Sequence, residues 1–298
     1  MKNYIRKLFG FVLWIVLILP MTGCIRDSDG DCLTLTLNIR LSSVEERHLT
    51  NLQAVSVYLF DEEGYYLDRY DATPEWQSDF SYRMRIPIQQ EGTYQFVVWT
   101  NANQDSYNVT ACEKNSTRMH DASLEVRCGG DAIVEELPAM LCYGHHAPVE
   151  VKKGPPNEIE VHMKRYTSMV KVIVHGLDEG IDHSLEVEYK SHNYRFDEQE
   201  EESSTRTFLP RSLQEPVYEL AGDFRLVRLN ESRSSYLKIT DVSTRANLMK
   251  LNLIDEVLAK YPGVDFTKEF EFVVEITLLH YVPIRIKVND WIIVDEDI

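Results

Sequence analysis

Leu33-Thr34-Leu35-Thr36-Leu37-Asn38-Ile39 sets the pattern for nearly everything after it: apolar and polar residues alternate one for one. In a strand, successive side chains point to opposite faces, so such a segment buries one face and wets the other. On a helix the same spacing would scatter its apolar groups around the axis. Residues 54–60 form a second, more buried run. Asp61-Glu62-Glu63-Gly64 then supplies turn chemistry, and Tyr65-Tyr66-Leu67 returns, which reads as a hairpin. Residues 82–86 alternate again, with Pro87 ending the strand or placing it at an edge, and Gly92 precedes a buried strand at 94–100. Residues 101–120 are polar and loop-like. Shorter strands are predicted at 123–127, 141–143, 148–152 and 158–162.

A second series begins at 169–174, stopped by Gly176, and continues at 185–189, 224–229, 235–239, 270–278 and 282–288. One stretch, 251–258, carries apolar residues at 251, 254 and 258 and is stopped by Pro262-Gly263, which predicts a short helix. Short strands separated by turn signals, with little helix, predict an all-β chain of antiparallel β-sandwiches. Two series predict two domains, 33–165 and 166–298.

The N-terminus reads as export chemistry. Lys2, Arg6 and Lys7 precede an apolar run of 12 residues, 8–19, that Pro20 breaks. A membrane span needs about 20 apolar residues, so this run fits a secretory signal peptide, 1–23. Thr22-Gly23-Cys24 then forms a lipobox, although Met21 stands where leucine is usual. The Cys24 thiol would take a diacylglycerol, and the amine freed by cleavage a third chain, enough for stable anchoring. Residues 24–32 read as an acidic tether. Acidic residues at this place resemble the surface-export signals of Bacteroidetes lipoproteins. Removing the signal leaves 275 of 298 residues, enough for two domains, and takes the net charge from −17 to about −20. Such a charge argues against nucleic acid, and against docking on anionic lipid through a basic face.

Catalytic signatures are missing: the sequence has no GxSxG, HExxH, GxGxxG or P-loop, and it implies no enzyme, cofactor or metal. His145 and His146, adjacent on a strand, would face opposite ways. The acidic run 197–202 reads as a solvated loop tip. With Cys24 lipidated, four cysteines remain: Cys32, Cys112, Cys128 and Cys142. In an oxidising compartment they allow up to two disulfides, in three connectivities, or they stay as buried or free thiols. Tyr58, Phe60, Phe96 and Trp99 sit in apolar runs and read as core. Near the C-terminus Ile284, Ile286 and Val288 share one strand face, Asn289-Asp290 allows a bend, and Trp291 opens a further edge strand, 291–294. This segment either contacts a partner or completes the second sandwich.

The order CIRDSDGDC, VSVYLFDEEGYYLDRY, EGTYQFVVWTNA, LCYGHHAPVEV, HMKRYTSMVKVIVHGL and IRIKVNDWIIV resembles the fimbrial subunits of the Bacteroidetes, specifically the FimB/Mfa2 anchor group. The resemblance covers nearly the whole mature chain. It implies two transthyretin-like antiparallel β-sandwich domains and a place at the base of a fimbrium, held to the outer membrane by lipid. It also implies docking of the first fibre subunit by strand complementation, in which an extended segment completes an open sheet. Fibre subunits of this system lose an N-terminal segment to a protease, whereas the anchor keeps it; Arg26, Arg40 and Arg47 are the candidate cut sites here. The alternative is a surface lipoprotein binding a glycan or host protein, which would show an exposed aromatic platform. A lipid-anchored hydrolase would need a cleft of converging carboxylates or histidines.

Overall fold

The computed structural model describes residues 33–295 apart from 43, 155, 191–192, 200–203, 213–218 and 231. Cys24, Cys32, the signal peptide and the tether lie outside the described residues.

In the first half, β1 (Leu33–Leu41), β2 (Val55–Phe60), β3 (Tyr66–Ala72), β4 (Ser81–Ile88), β5 (Gly92–Thr100), β9 (Cys142–Val151) and β10 (Asn157–Arg165) form one seven-stranded sheet. Its order is β3-β2-β5-β9-β10-β1-β4. Three short strands, β6 (Tyr107–Val109), β7 (Ser123–Val126) and β8 (Ile133–Val134), lie between β5 and β9 in the chain. The alternation of β1 buries Leu33, Leu35, Leu37, Ile39 and Leu41, while its polar residues stay half-buried or exposed. β1 pairs in parallel with β10 and antiparallel with β4. β10 makes the corner: its early residues pair with β1, and Lys164 and Arg165 pair with Tyr143 and Cys142 of β9. The sheet therefore folds over at this corner around a core that includes Leu35, Leu37, Val57, Leu59, Phe96 and Val98. Gly144 sits at this corner, where an added Cβ would lie 3.0 Å from the Met163 and Val161 side chains. Gly64 closes the β2–β3 turn at φ +82°, a conformation that favours glycine. Pro87 lies within β4, at the sheet edge, where a missing N–H costs no ladder bond. Residues 141–143 and 148–152, expected as two strands, belong to the single long β9, whose register shifts opposite 94–96.

The second half contains β11 (Thr167–His175), β12 (His183–Tyr189), β13 (Asn193–Arg195), β14 (Arg206–Phe208), β15 (Arg211–Ser212), β16 (Leu220–Val227), β17 (Ser235–Asp241), β18 (Asn247–Asn252), β19 (Glu271–Leu279), β20 (Val282–Val288) and β21 (Trp291–Asp295). Its sheets run β15-β16-β11-β19-β20-β21 and β18-β17-β12-β14-β8, with a third, β13-β7-β6. The first half's topology recurs here. The order β10-β1-β4 matches β19-β11-β16, and β3-β2-β5-β9 matches β14-β12-β17-β18. The strand directions match as well, including the parallel pairs β1–β10 and β11–β19. The hairpin β20–β21 has no counterpart in the first half. β8 pairs with β14 and β7 with β13, so first-half segments are woven into the second half.

The face of β2, β5 and β9 turned away from the first core meets the second half through aromatic rings. Phe196 lies edge-on to Tyr58 at 4.7 Å between centroids, and Tyr166 stands 5.5 Å from Trp99. β2 is thus buried on both faces, which accounts for its unbroken apolar run. The helix expected at 251–258 is shorter and differently wound. Leu251 pairs across from Leu237 in β18, so the strand runs to Asn252; a π turn (Leu253–Val257) and a 3-10 turn (Leu258–Lys260) follow. The Asn252 side chain accepts the Asp255 amide and Glu256 accepts the Asn252 amide, a reciprocal cap.

Candidate docking edge and the junction behind it

The C-terminal hairpin is built from two alternating runs and a turn that suits their twist. Ile286 and Val288 point into the core. Ile284 falls at a bulge where the β19–β20 register shifts, and it is only half-buried. Asn289 and Asp290 have φ 47° and 71°, both left-handed, as the tight type I′ hairpin turn requires. Asn289 ties the turn to β19: its Oδ1 accepts the Val273 amide at 2.8 Å and its own amide donates to the Val273 carbonyl at 2.9 Å. β21 closes the sheet as its edge strand. Trp291 is 56% exposed and Ile292 49%. Lys287 reaches Glu275 at 3.2 Å.

Behind this turn, Glu271 at the start of β19, in the second half, gathers basic side chains from the first. Arg165, with a side chain only 5% exposed, donates from Nη1 to Oε1 at 3.0 Å. Arg47 donates to Oε2 at 2.7 Å, and His48 Nε2 lies 2.6 Å from Oε1. Burial by itself would raise the Glu271 pKa; the Arg165 hydrogen bond and charge, with His48 and Arg47, outweigh it and hold the carboxyl below its ordinary range. Because the folded value is the lower one, this contribution to stability is full above the ordinary carboxylate range and is lost as pH falls through the depressed value. Glu271→Ala is expected to cost about 2 kcal/mol at neutral pH, below the roughly 3–5 kcal/mol of a fully buried pair, because the carboxylate is partly open to water. In urea titrations the gap from wild type should shrink below about pH 4. An equal gap at every pH would show that charge is not what matters there.

The model of one protein family, the fimbrillin-A associated anchor proteins Mfa1 and Mfa2, matches residues 28–297. The chain belongs to that family. No curated protein matches it by sequence. The fimbrial anchor protein Mfa2 of Porphyromonas gingivalis shares the fold at TM-score 0.72 and 18% identity, over 88% of this chain and 99% of that one. A candidate polysaccharide-binding protein of Bacteroides thetaiotaomicron does so at TM-score 0.74 and 21% identity, over 87% and 97%. A candidate adhesin of the same organism gives 0.69 and 18%, over 88% and 97%.

In this Mfa2-family chain the described cysteines stand apart from any disulfide: Cys112 and Cys128 are half-buried thiols and Cys142 a buried one. Burial pushes the Cys142 thiol up to about 12, so it is not a reactive thiol at neutral pH. Of the partner-strand residues read from the sequence, Ile286 and Val288 serve the core, Ile284 is half-buried at a bulge and Trp291 faces solvent. Ile292, within the edge strand expected at 291–294, shares the exposed edge. The sequence carries no signal for Glu271, which joins Arg165 and Arg47 across 106 and 224 positions of chain.

Proposed function

We propose that this chain is the lipid-anchored base of a fimbrium, fixed to the outer membrane through Cys24 and the tether 24–32. On this reading each half, 33–165 and 166–298, is a transthyretin-like sandwich, and the first fibre subunit adds a strand to β21. The observation that carries it is that edge. A long apolar edge strand invites pairing, and proteins usually blunt theirs with charge, proline or a cover. β21 instead offers Trp291 and Ile292 to solvent. It belongs to a hairpin that the repeated topology does not need. The slot between β10 and β4 is already filled by the chain's own β1, so a joint made elsewhere suits a subunit that keeps its N-terminus. The role is mechanical rather than catalytic. The glycan-binding alternative called for several exposed aromatics, and among the described residues Trp291 is the one exposed aromatic.

Deleting the gene is expected to shed fibres into the culture supernatant while fibre subunits are still made. An Ile292→Pro variant, which blocks strand addition at the edge, should shed them too. Electron microscopy and supernatant immunoblots read both strains. Fibres that stay attached at normal length in the deletion strain would overturn the anchor reading.

A further inference from the structure

The far end of the second half carries an apolar patch that no described element of the chain covers. Seven large apolar side chains are exposed among the described residues, and four of them, Ile181, Val242, Leu279 and Val282, sit at this one end. They come from three separate turns: Ile181 between β11 and β12, Val242 between β17 and β18, and Leu279 and Val282 on either side of the β19–β20 turn.

These turns form one platform. The Val242 amide donates to the Asp182 carbonyl at 2.9 Å, joining the first two turns. His183 Nε2 lies 2.9 Å from the Tyr281 hydroxyl, joining the first to the third. Gly176, at φ +76°, lets the end of β11 pass so close to β19 that a Cβ there would overlap the Leu278 carbonyl oxygen. His280 and Tyr281 both take left-handed φ, 50° and 62°, which non-glycine residues adopt only where their surroundings hold them. The patch is therefore presented in a fixed shape. Asp178, Glu179, Asp182 and Asp241 lie in or beside the same turns, against one arginine, Arg245, so the rim of the apolar centre is net acidic.

Its position follows from the chain. β1 begins nine residues after Cys24, and nine residues span at most about 30 Å, so a lipid on Cys24 would keep the Leu33 end near the membrane. β1 and β10 run from that end to the junction at Arg165 and Glu271. β11 and β19 run from the junction to the patch. The patch thus lies at the end of the second half opposite the junction. β21 runs the same way, from Trp291 near the junction to Asp295 opposite Arg285.

We propose that this end of the second half is the seat for the body of the first fibre subunit, whose contacting end has an apolar centre and a basic rim. The inference rests on the anchor reading and extends it from one strand to a surface. A strand added along β21 brings its parent domain beside the patch, where burial of the four apolar side chains and the acidic rim fix its orientation.

The test uses the native host. A Val242→Arg/Val282→Arg strain is expected to raise fibre protein in the supernatant about tenfold or more, as losing central apolar contacts does at an interface. Membrane levels of the variant should stay at wild type, because both side chains are exposed. Should those levels fall, the milder Val242→Ser/Val282→Ser pair takes its place, with the same shedding expected. Shedding in the deletion strain without shedding in a patch variant held at normal level would overturn the seat and leave the anchor reading intact. Attached fibres in the deletion strain would overturn both.

Discussion

Replacing Cys24 by alanine is expected to move the protein from the membrane to the soluble fraction, or to leave it uncleaved. One acyl chain binds a bilayer only marginally, with a partition constant of about 10⁴ M⁻¹, and stable anchoring takes two or more. A lipidated Cys24 would carry diacylglycerol and an N-acyl chain, so one substitution removes them all. Nothing among the described residues is suited to replace them. Among the described residues no helix is long and apolar enough to cross a membrane. A mature charge near −20 repels anionic headgroups. Detergent-phase partitioning with N-terminal mapping of the product decides the matter. A correctly cleaved Cys24→Ala protein that stays in the membrane fraction would refute the lipid anchor.

Leu37→Asp should unfold the first half. Leu37 is fully buried in the middle of β1, between Ile159 on β10 and Met84 on β4. Emptying a core leucine site costs about 2–5 kcal/mol, and an unpaired carboxylate placed there adds several more. Together these approach the roughly 5–15 kcal/mol that holds a whole domain together. The consequence reaches the candidate cut sites. Arg40 shows half its side chain to solvent, but its backbone lies in a strand paired on both sides, with His162 and with Ser81. Arg47 sits in a short 3-10 turn, bound to Glu45 at 2.8 Å and to Glu271. Trypsin should therefore leave both bonds intact in the native protein and cut them quickly in Leu37→Asp, as mass spectrometry of timed digests would show. Equal cutting of the two proteins at Arg40 would mean that β1 leaves its slot without unfolding.

The parts of the fold legible in the sequence were those in which local chemistry and global placement agree. The alternation of β1 names its buried face directly, and Asp61-Glu62-Glu63-Gly64 announces the β2–β3 turn that Gly64 makes at φ +82°. The order of such strands sufficed for the family resemblance. Short strands such as β8 and β14 were not legible, because two or three residues carry no period and pair only where distant chain brings them together. The helix begins later than its apolar stripe for a related reason: Leu251 fits that stripe, but its cross-strand partner Leu237 holds it in β18. At the C-terminus the exposed edge at Trp291 could be read locally. The Glu271 cluster could not, and neither could the apolar end assembled from three turns.

The double pairing of β1 has a mechanical side. Its hydrogen bonds to β10 and β4 stand across the strand axis. Tension applied to the Leu33 end along β1, as an anchor under load would meet, pulls along that axis. The two rows are then loaded in shear, and their bonds must yield together instead of opening one at a time from an end. A chain held at the start of a central strand resists such a pull far better than one held at the tip of a hairpin, which would peel.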